Sequence, residues 1–445
     1  MKRIHFTIAL TLLWGHGVVT GHAITLEALL QQAGEKNPEI QKAKAGVEEA
    51  AGRRLVFHSV ALPNALIGAA AGDIGGHRAG QSPNSPFGFG YGNLTQPLFN
   101  ASVPASRRRG DVEVLIAKQK LNVAVSEQLH AARLAFYAAL FNRSLITLRE
   151  EQREQLAENA GSQKSRYEAG LTDRNAAVGA ELQTRELDPK IETARRAYEG
   201  ARLKLAEAIG SDIGPDAVLP EPEGELHYTK VGVDLAEARA DALEHRPDLK
   251  LARLLVRSAG EDQRMIEAAY YPAVNLDVSG DYIPTTKVRR DSNEGSPKRS
   301  DAFVSSEIRA GGAYTWRVID NGKVYGAVAR QRATREVNEL LVHKMEVDVP
   351  RDLSRIENDL EAIATKQQSL IAAAAAAEQN ASTVRENLAA GVVSQLEYRL
   401  AENSLLDART GLLSLAYQEN VALAEWDRAL GRYLQFSDDN SRNVQ

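Results

Sequence analysis

Val274-Asn275-Leu276-Asp277-Val278-Ser279 alternates between apolar and polar residues without a break. In a strand, Val274, Leu276 and Val278 share one face while Asn275, Asp277 and Ser279 share the other. Val304, Ile308, Ala310, Tyr314 and Trp316 continue the pattern in a return strand, so the two segments predict a hairpin. The first half of the chain holds a similar pair. Phe87, Phe89 and Tyr91 alternate with Gly88, Gly90 and Gly92, and Ala65, Ile67, Ala69 and Ala71 form a weaker partner. The joining segments, Gly75 to Ser85 and Pro284 to Ser300, are rich in Gly, Ser, Asn and Pro. Strands of about ten residues with one apolar face suit a transmembrane barrel. Hairpins packed on a soluble core would alternate in the same way. The difference lies in the edges: four strands cannot close, and an open edge in lipid leaves backbone groups unsatisfied. If these strands span a membrane, several chains must complete one barrel together.

Outward from the hairpins the sequence is helical. After Pro104 no proline interrupts Ser102 to Glu168; such a helix is roughly 100 Å long at 1.5 Å per residue. The matching stretch, Asn321 to Ala389, contains Pro350, which is expected to kink or interrupt it. Shorter helices are expected from Thr25 to Leu62 and from Asp173 to Ile209. Thr25 and Asp234 are good N-caps for the opening helices of the two halves. Each opening helix ends near a proline, Pro63 or Pro272.

These elements recur because the chain reads as an internal duplication. Asn37-Pro38-Glu39-Ile40 matches Arg246-Pro247-Asp248-Leu249, and Leu26/Leu235, Ala33/Ala242, Val47/Val256 and Pro63/Pro272 keep the same spacing. Farther along, Gly170 matches Gly391 and Gly210 matches Gly431, the offset having lengthened inside a loop. The expected organisation is a first repeat over 24–210, a linker over 211–233 containing Pro215, Pro220 and Pro222, a second repeat over 234–432, and a polar tail over 433–445. Residues 1–23 read as a secretory signal peptide. Lys2 and Arg3 precede the apolar run Phe6 to Trp14, and Gly21-His22-Ala23 is a small-x-small cleavage site.

Composition narrows the function. Of 445 residues, 25% are charged, too many for a helical membrane protein, and 6% are aromatic. A formal net charge of -5 argues against a nucleic-acid partner. With no cysteine, disulfides, thiolate metal sites and Cys nucleophiles are excluded. No phosphate loop, HExxH or GxSxG occurs, and Gly88-Phe89-Gly90-Tyr91-Gly92 has no strand-to-helix turn after it. The expectation is a protein that is not an enzyme and holds no cofactor or metal.

The sequence resembles the TolC-like outer-membrane efflux protein family over nearly all of its mature length. The residues that carry the resemblance are Ile24-Thr25-Leu26-Glu27-Ala28-Leu29, Asn37-Pro38-Glu39-Ile40, Arg246-Pro247-Asp248-Leu249, Gln96-Pro97-Leu98-Phe99, and the turn Arg166-Tyr167-Glu168-Ala169-Gly170-Leu171, echoed by Leu388-Ala389-Ala390-Gly391-Val392. The resemblance implies a mainly α fold with a duplicated long-helix, coiled-coil tunnel in the periplasm. Two β-hairpins per chain would enter a shared barrel of a homotrimer in the outer membrane of a Gram-negative bacterium. It implies an exit duct of a tripartite efflux or type I secretion system, conducting substrate passively. Its partners would be a periplasmic adaptor (membrane fusion) protein, an inner-membrane pump and outer-membrane lipid. The competing class is a periplasmic coiled-coil adaptor or scaffold without a barrel. The lipid-bearing Cys of many relatives is absent, and Asn387 stands where the first turn has Arg166.

Two groups of candidate site residues follow. Gly170 and Gly391 can take the left-handed conformation that ends a helix. With Tyr167, Ala169, Leu171, Ala390 and Val392 they are candidate adaptor contacts at the tunnel tip; both glycines can equally be helix stops alone. Leu396, Glu397 and Leu400 are tunnel-gate candidates, because in the family this segment narrows the closed tunnel. Glu397 matches an acidic position of the family, whereas Leu400 stands where another acid is common. Ser394-Gln395-Leu396-Glu397 is also a capping box, in which Glu397 would bond back to the Ser394 backbone. Asp173 occupies the corresponding cap of the first half, with Ala176 in place of the glutamate.

Overall fold

A computed structural model describes residues 23–75, 84–211, 213–214, 217–284 and 304–433. The leader up to residue 22, the tips of both strand loops, Pro215 and the tail beyond Tyr433 lie outside these residues.

The first half opens with a two-residue strand, β1 (Ala23–Ile24), then α1 (Leu26–Lys36) and α2 (Pro38–Ser59). Thr25 caps α1 by accepting from Ala28 N at 3.3 Å. The single opening helix expected to run to Leu62 is divided at Asn37–Pro38. Asn37 is buried, accepts from the Glu39 and Ile40 amides, and donates to Ala208 O at 2.9 Å. It serves as an internal N-cap, and Pro38, lacking an N–H, takes the first helical position. Then come β2 (Asn64–Gly75), β3 (Asn84–Phe99), the unbroken α3 (Val103–Glu168), α4 (Arg174–Arg185) and α5 (Asp188–Ala208). The returning helix, expected whole from Asp173 to Ile209, is interrupted at Glu186–Leu187, because Pro189 beside Asp188 starts a new helix.

In the connector β4 (Glu221–Pro222) pairs in parallel with β1, and Glu223 N donates to Ile24 O at 2.9 Å. The connector is fastened to helices by arginines: Arg202 donates to Leu219 O and Pro220 O, and Arg143 to Pro222 O and Gly224 O. The second half runs α6 (Leu235–His245), α7 (Pro247–Glu267), β5 (Ala273–Pro284), β6 (Val304–Thr315), α8 (Lys323–Ala389) and α9 (Gln395–Leu430), the same order except that the single α9 stands where the first half has α4 and α5. A short 3-10 turn, Ala268–Tyr270, lies between α7 and Pro272. The interruption expected at Pro350 does not occur, since α8 is helical on both sides of it. Proline there forfeits one ladder bond. Burial of Val349, Leu353 and Ile356 around it supplies packing that holds the helix together.

The chain divides into two compact units, one of residues 1–41, 125–238 and 352–433, the other of 42–124, 239–351 and 434–445. The second contains one antiparallel sheet of order β2-β3-β5-β6. Register assigns its faces. Ile67 sits opposite Gly92, Leu94 opposite Val278, Val278 opposite Ala310, and Gly280 opposite Ile308, so these residues share one face. The other face carries Asn275, Asp277, Ser279, Asp281, Glu307 and Arg309, with Thr95 Oγ1 donating to Asp277 at 2.7 Å. The alternation of Phe89 and Tyr91 with glycines, and of Ala65 and Ile67 in the partner strand, leaves their shared faces unassigned. Phe89 and Tyr91 lie opposite Ala70 and Gly68, on the face that carries Asp277 and Asp281. The Tyr91 ring lies over Gly68, where an added Cβ would collide with the ring. Alternation within one strand cannot reveal this, because only the cross-strand register fixes the shared face. β3 also runs past Gly92 to Phe99, with a register shift at Pro97, which has no N–H to give the ladder.

Candidate functional site: the paired helical turns

Two helix ends in the first unit have the same geometry. At the end of α3, Gly170 N donates to Tyr167 O at 2.9 Å and Leu171 N to Arg166 O at 2.8 Å. At the end of α8, Gly391 N donates to Leu388 O at 3.0 Å and Val392 N to Asn387 O at 2.8 Å. Both are Schellman motifs, and Gly170 (φ 73) and Gly391 (φ 76) supply the left-handed residue each requires. The next helix is capped at once in each case. Asp173 accepts from Ala176 N at 2.7 Å, and Ser394 Oγ accepts from Glu397 N at 3.3 Å while Glu397 accepts from Ser394 N at 2.8 Å.

The turns lie side by side. Arg166 Nη1 reaches from the first to Leu388 O of the second at 3.3 Å. Between them is a cavity of about 650 Å³ lined by Arg166, Asp173, Gln183, Gln395, Arg399 and others. Gln183 is 3% exposed, and its Nε2 has no hydrogen-bond partner among the described residues. Gln395 buries both Nε2 and Oε1, again without a partner among the described residues. A buried polar atom left without a hydrogen bond costs roughly 1–3 kcal/mol, so this cavity offers unfilled donor and acceptor capacity to whatever enters it.

Beneath the turns, Leu156, Leu187, Ile191, Leu388, Tyr398 and Leu406 form a buried cluster. A polar network adjoins it. Glu402 is fully buried and pairs with Arg385 at 2.7 Å, and Gln152 Nε2 donates to Glu402 O at 3.0 Å. Burial, reinforced by the Glu402 charge and opposed by Arg385, pushes the Tyr398 hydroxyl up to about 12, so it stays protonated across the physiological range.

All seven docking candidates, Tyr167, Ala169, Gly170, Leu171, Ala390, Gly391 and Val392, are exposed, and they cluster on the two turns. Leu396, Glu397 and Leu400 are exposed on the first turns of α9. The Glu397 carboxylate is engaged in the capping box. Hydrogen exchange should show the cap directly: Ser394→Ala is expected to remove about 1 kcal/mol of protection from the amides of the first turn of α9. Unchanged protection would mean that the box contributes nothing. Sequence reading missed Gln183, Gln395, Arg385 and Glu402. A signal existed for Glu402, an acid four residues after Tyr398 on a side otherwise occupied by Ala401, Leu405 and Leu406.

Comparisons with known proteins agree with this architecture. Residues 238–432 match the outer membrane efflux protein family. No curated protein matches the chain. The outer membrane protein VceC of Vibrio cholerae superposes with a TM-score of 0.75 at 18% identity, over 91% of this chain and 96% of that one. The CmeC outer membrane channel of Campylobacter jejuni gives 0.79 at 14% identity, over 94% and 88%. The open-state MtrE outer membrane channel of Neisseria gonorrhoeae gives 0.71 at 17%, over 91% and 88%. At these identities the structural likeness establishes the fold.

Proposed function

We infer from residues 238–432, which belong to the outer membrane efflux protein family, and from the channel fold of the whole chain how this protein works. It is an outer-membrane efflux duct. The observation that carries the mechanism is the four-stranded sheet, whose strands β5 and β6 are apolar on one face and polar on the other, and in which β2 and β6 are each unpaired on one side among the described residues. Lipid covers the apolar face, and copies of the chain satisfy the edges by pairing β6 of one with β2 of the next. Two chains would supply eight strands, near the smallest useful barrel; the family's pattern selects three chains and twelve. The polar face then lines the pore, so substrate moves passively and the duct itself does no chemistry. A periplasmic scaffold would leave the apolar face without a cover. Light scattering in mild detergent is expected to give a trimer, and urea-washed outer membranes are expected to retain the protein. A monodisperse monomer would overturn the shared barrel.

The recurrence of element order supports reading 24–210 and 234–432 as two repeats joined by 211–233, after a leader over 1–23 and before a tail over 433–445. The paired turns are the docking surface for a periplasmic adaptor, which links the duct to an inner-membrane pump of an efflux or type I secretion system. Exposure of Tyr167, Leu171 and Val392, and the unfilled polar capacity beside them, support that reading. Ala169→Arg and Ala390→Arg are expected to abolish efflux at unchanged trimer yield. Persistent transport would place docking elsewhere.

The gate reading of Leu396, Glu397 and Leu400 coexists with the cap. In a trimer Glu397 recurs three times around the axis, and like charges held close attract cations. Glu397→Ala in planar bilayers is expected to weaken divalent-cation block and alter conductance. Unchanged block would leave Glu397 as a helix cap alone.

A further inference from the structure

The apolar sheet face does not stop at its last paired residues, Val274 and Tyr314. The Trp316 indole, just beyond, donates to Tyr270 O at 3.1 Å. Tyr270 and Tyr271 follow α7, Tyr325 lies in the first turn of α8, and all three rings are exposed, as are Val318 and Ile319. Rings with an apolar body and a polar tip at the end of an apolar sheet face suit the boundary between hydrocarbon and water. Tyr270, Tyr271 and Tyr325 line a cavity of about 340 Å³ together with Glu267 and Arg332. Among the described residues Arg332 has no carboxylate within ion-pair distance. The Glu267 carboxylate accepts from Gln263 Nε2 at 2.7 Å, which leaves it further acceptor capacity.

We propose that this cavity binds the headgroup of a zwitterionic aminophospholipid. The phosphate sits on the Arg332 guanidinium. The ammonium sits between the Glu267 carboxylate and the tyrosine faces, which attract a cation. The acyl chains continue onto the apolar face of the sheet. One cation, one carboxylate and an aromatic wall match a headgroup that bears both charges better than a simple anion. The proposal rests on the reading of the sheet as membrane-embedded.

The test uses the full-length assembled protein in detergent, with lipid retention followed by native mass spectrometry. Phosphatidylethanolamine is expected to be retained about tenfold more than phosphatidylglycerol or phosphatidylcholine, the scale of one charge-assisted contact. Arg332→Ala should reduce phosphatidylethanolamine retention about tenfold, and Glu267→Gln should remove the preference over phosphatidylglycerol. Circular dichroism and oligomer mass check that both variants are folded. Equal retention of the three lipids, or no loss in Arg332→Ala, overturns the site. Inorganic phosphate competing as well as lipid would make it a simple anion site, and loss of lipid binding on trimer formation would make the groove a contact between copies. Absence of the wild-type protein from washed outer membranes would defeat the membrane reading itself, a separate result from loss of lipid selectivity.

Discussion

Arg385→Ala is expected to destabilise the protein by about 3 kcal/mol, because it strands a buried carboxylate. Glu402 is fully buried, and Arg385 at 2.7 Å is its ion-pair partner. Without the guanidinium, the Glu402 carboxylate keeps only neutral donors, the Tyr398 hydroxyl and the Gln152 amide, the latter at 3.4 Å, a weak contact. Removing one partner of a buried pair typically costs roughly 3–5 kcal/mol. The expected value is at the low end because the Arg385 side chain is itself 48% exposed, so water can follow its removal. The double variant Arg385→Ala/Glu402→Gln should recover most of the loss, since a neutral amide needs no counter-ion. Denaturant midpoints in detergent at constant slope measure both. A single-variant loss below about 1 kcal/mol would show that the pair is no stronger than a surface salt bridge.

Gly210→Ala should be the second severe change, and Gly170→Ala a mild one. Both glycines are left-handed, at φ 62 and 73. For an L-residue that conformation alone costs roughly 1–2 kcal/mol. At Gly170 nothing among the described residues lies within 4 Å of an added Cβ, so about 1 kcal/mol is the whole expected effect. At Gly210 the Cβ would meet the Lys36 carbonyl oxygen at 2.6 Å, and that oxygen belongs to backbone held between α1 and the Asn37 cap. Overpacking adds roughly 1–3 kcal/mol, for a total of about 3. Thermal midpoints should therefore separate the two variants clearly. Equal shifts would show that the Lys36 backbone yields without cost.

Much of this fold is written locally. Thr25, Asp234, Asp173 and Ser394 announce helix starts because a capping side chain needs only its own next three residues. Period-two alternation around Val274 to Ser279 announces a strand for the same reason. What escaped the sequence depends on remote neighbours. Pro38, Pro189 and Pro247 open new helices, whereas Pro350 lies within one, and burial of Val349 and Leu353 distinguishes the last case. The polar-face position of Tyr91 follows from its pairing with Gly68 and Asp281. At the candidate site the two glycines were legible as turn formers, since positive φ is a property of one residue. The unpartnered amides of Gln183 and Gln395 were not, because their burial arises where helices distant in sequence meet.

The pairing of Ile24, the first residue after the leader, with Pro222 and Glu223 also orders events in time. A chain made from its amino end presents Ile24 long before residues 222–223 exist, so this small ladder cannot form early. Closing so long a loop is entropically costly, and contacts of high sequence separation form late. Until then Ile24, buried in the finished fold, has no seat. The ladder is thus a clasp that closes only after the first half has been made and the connector laid across it, and protection of the Glu223 amide would mark that moment in a refolding experiment.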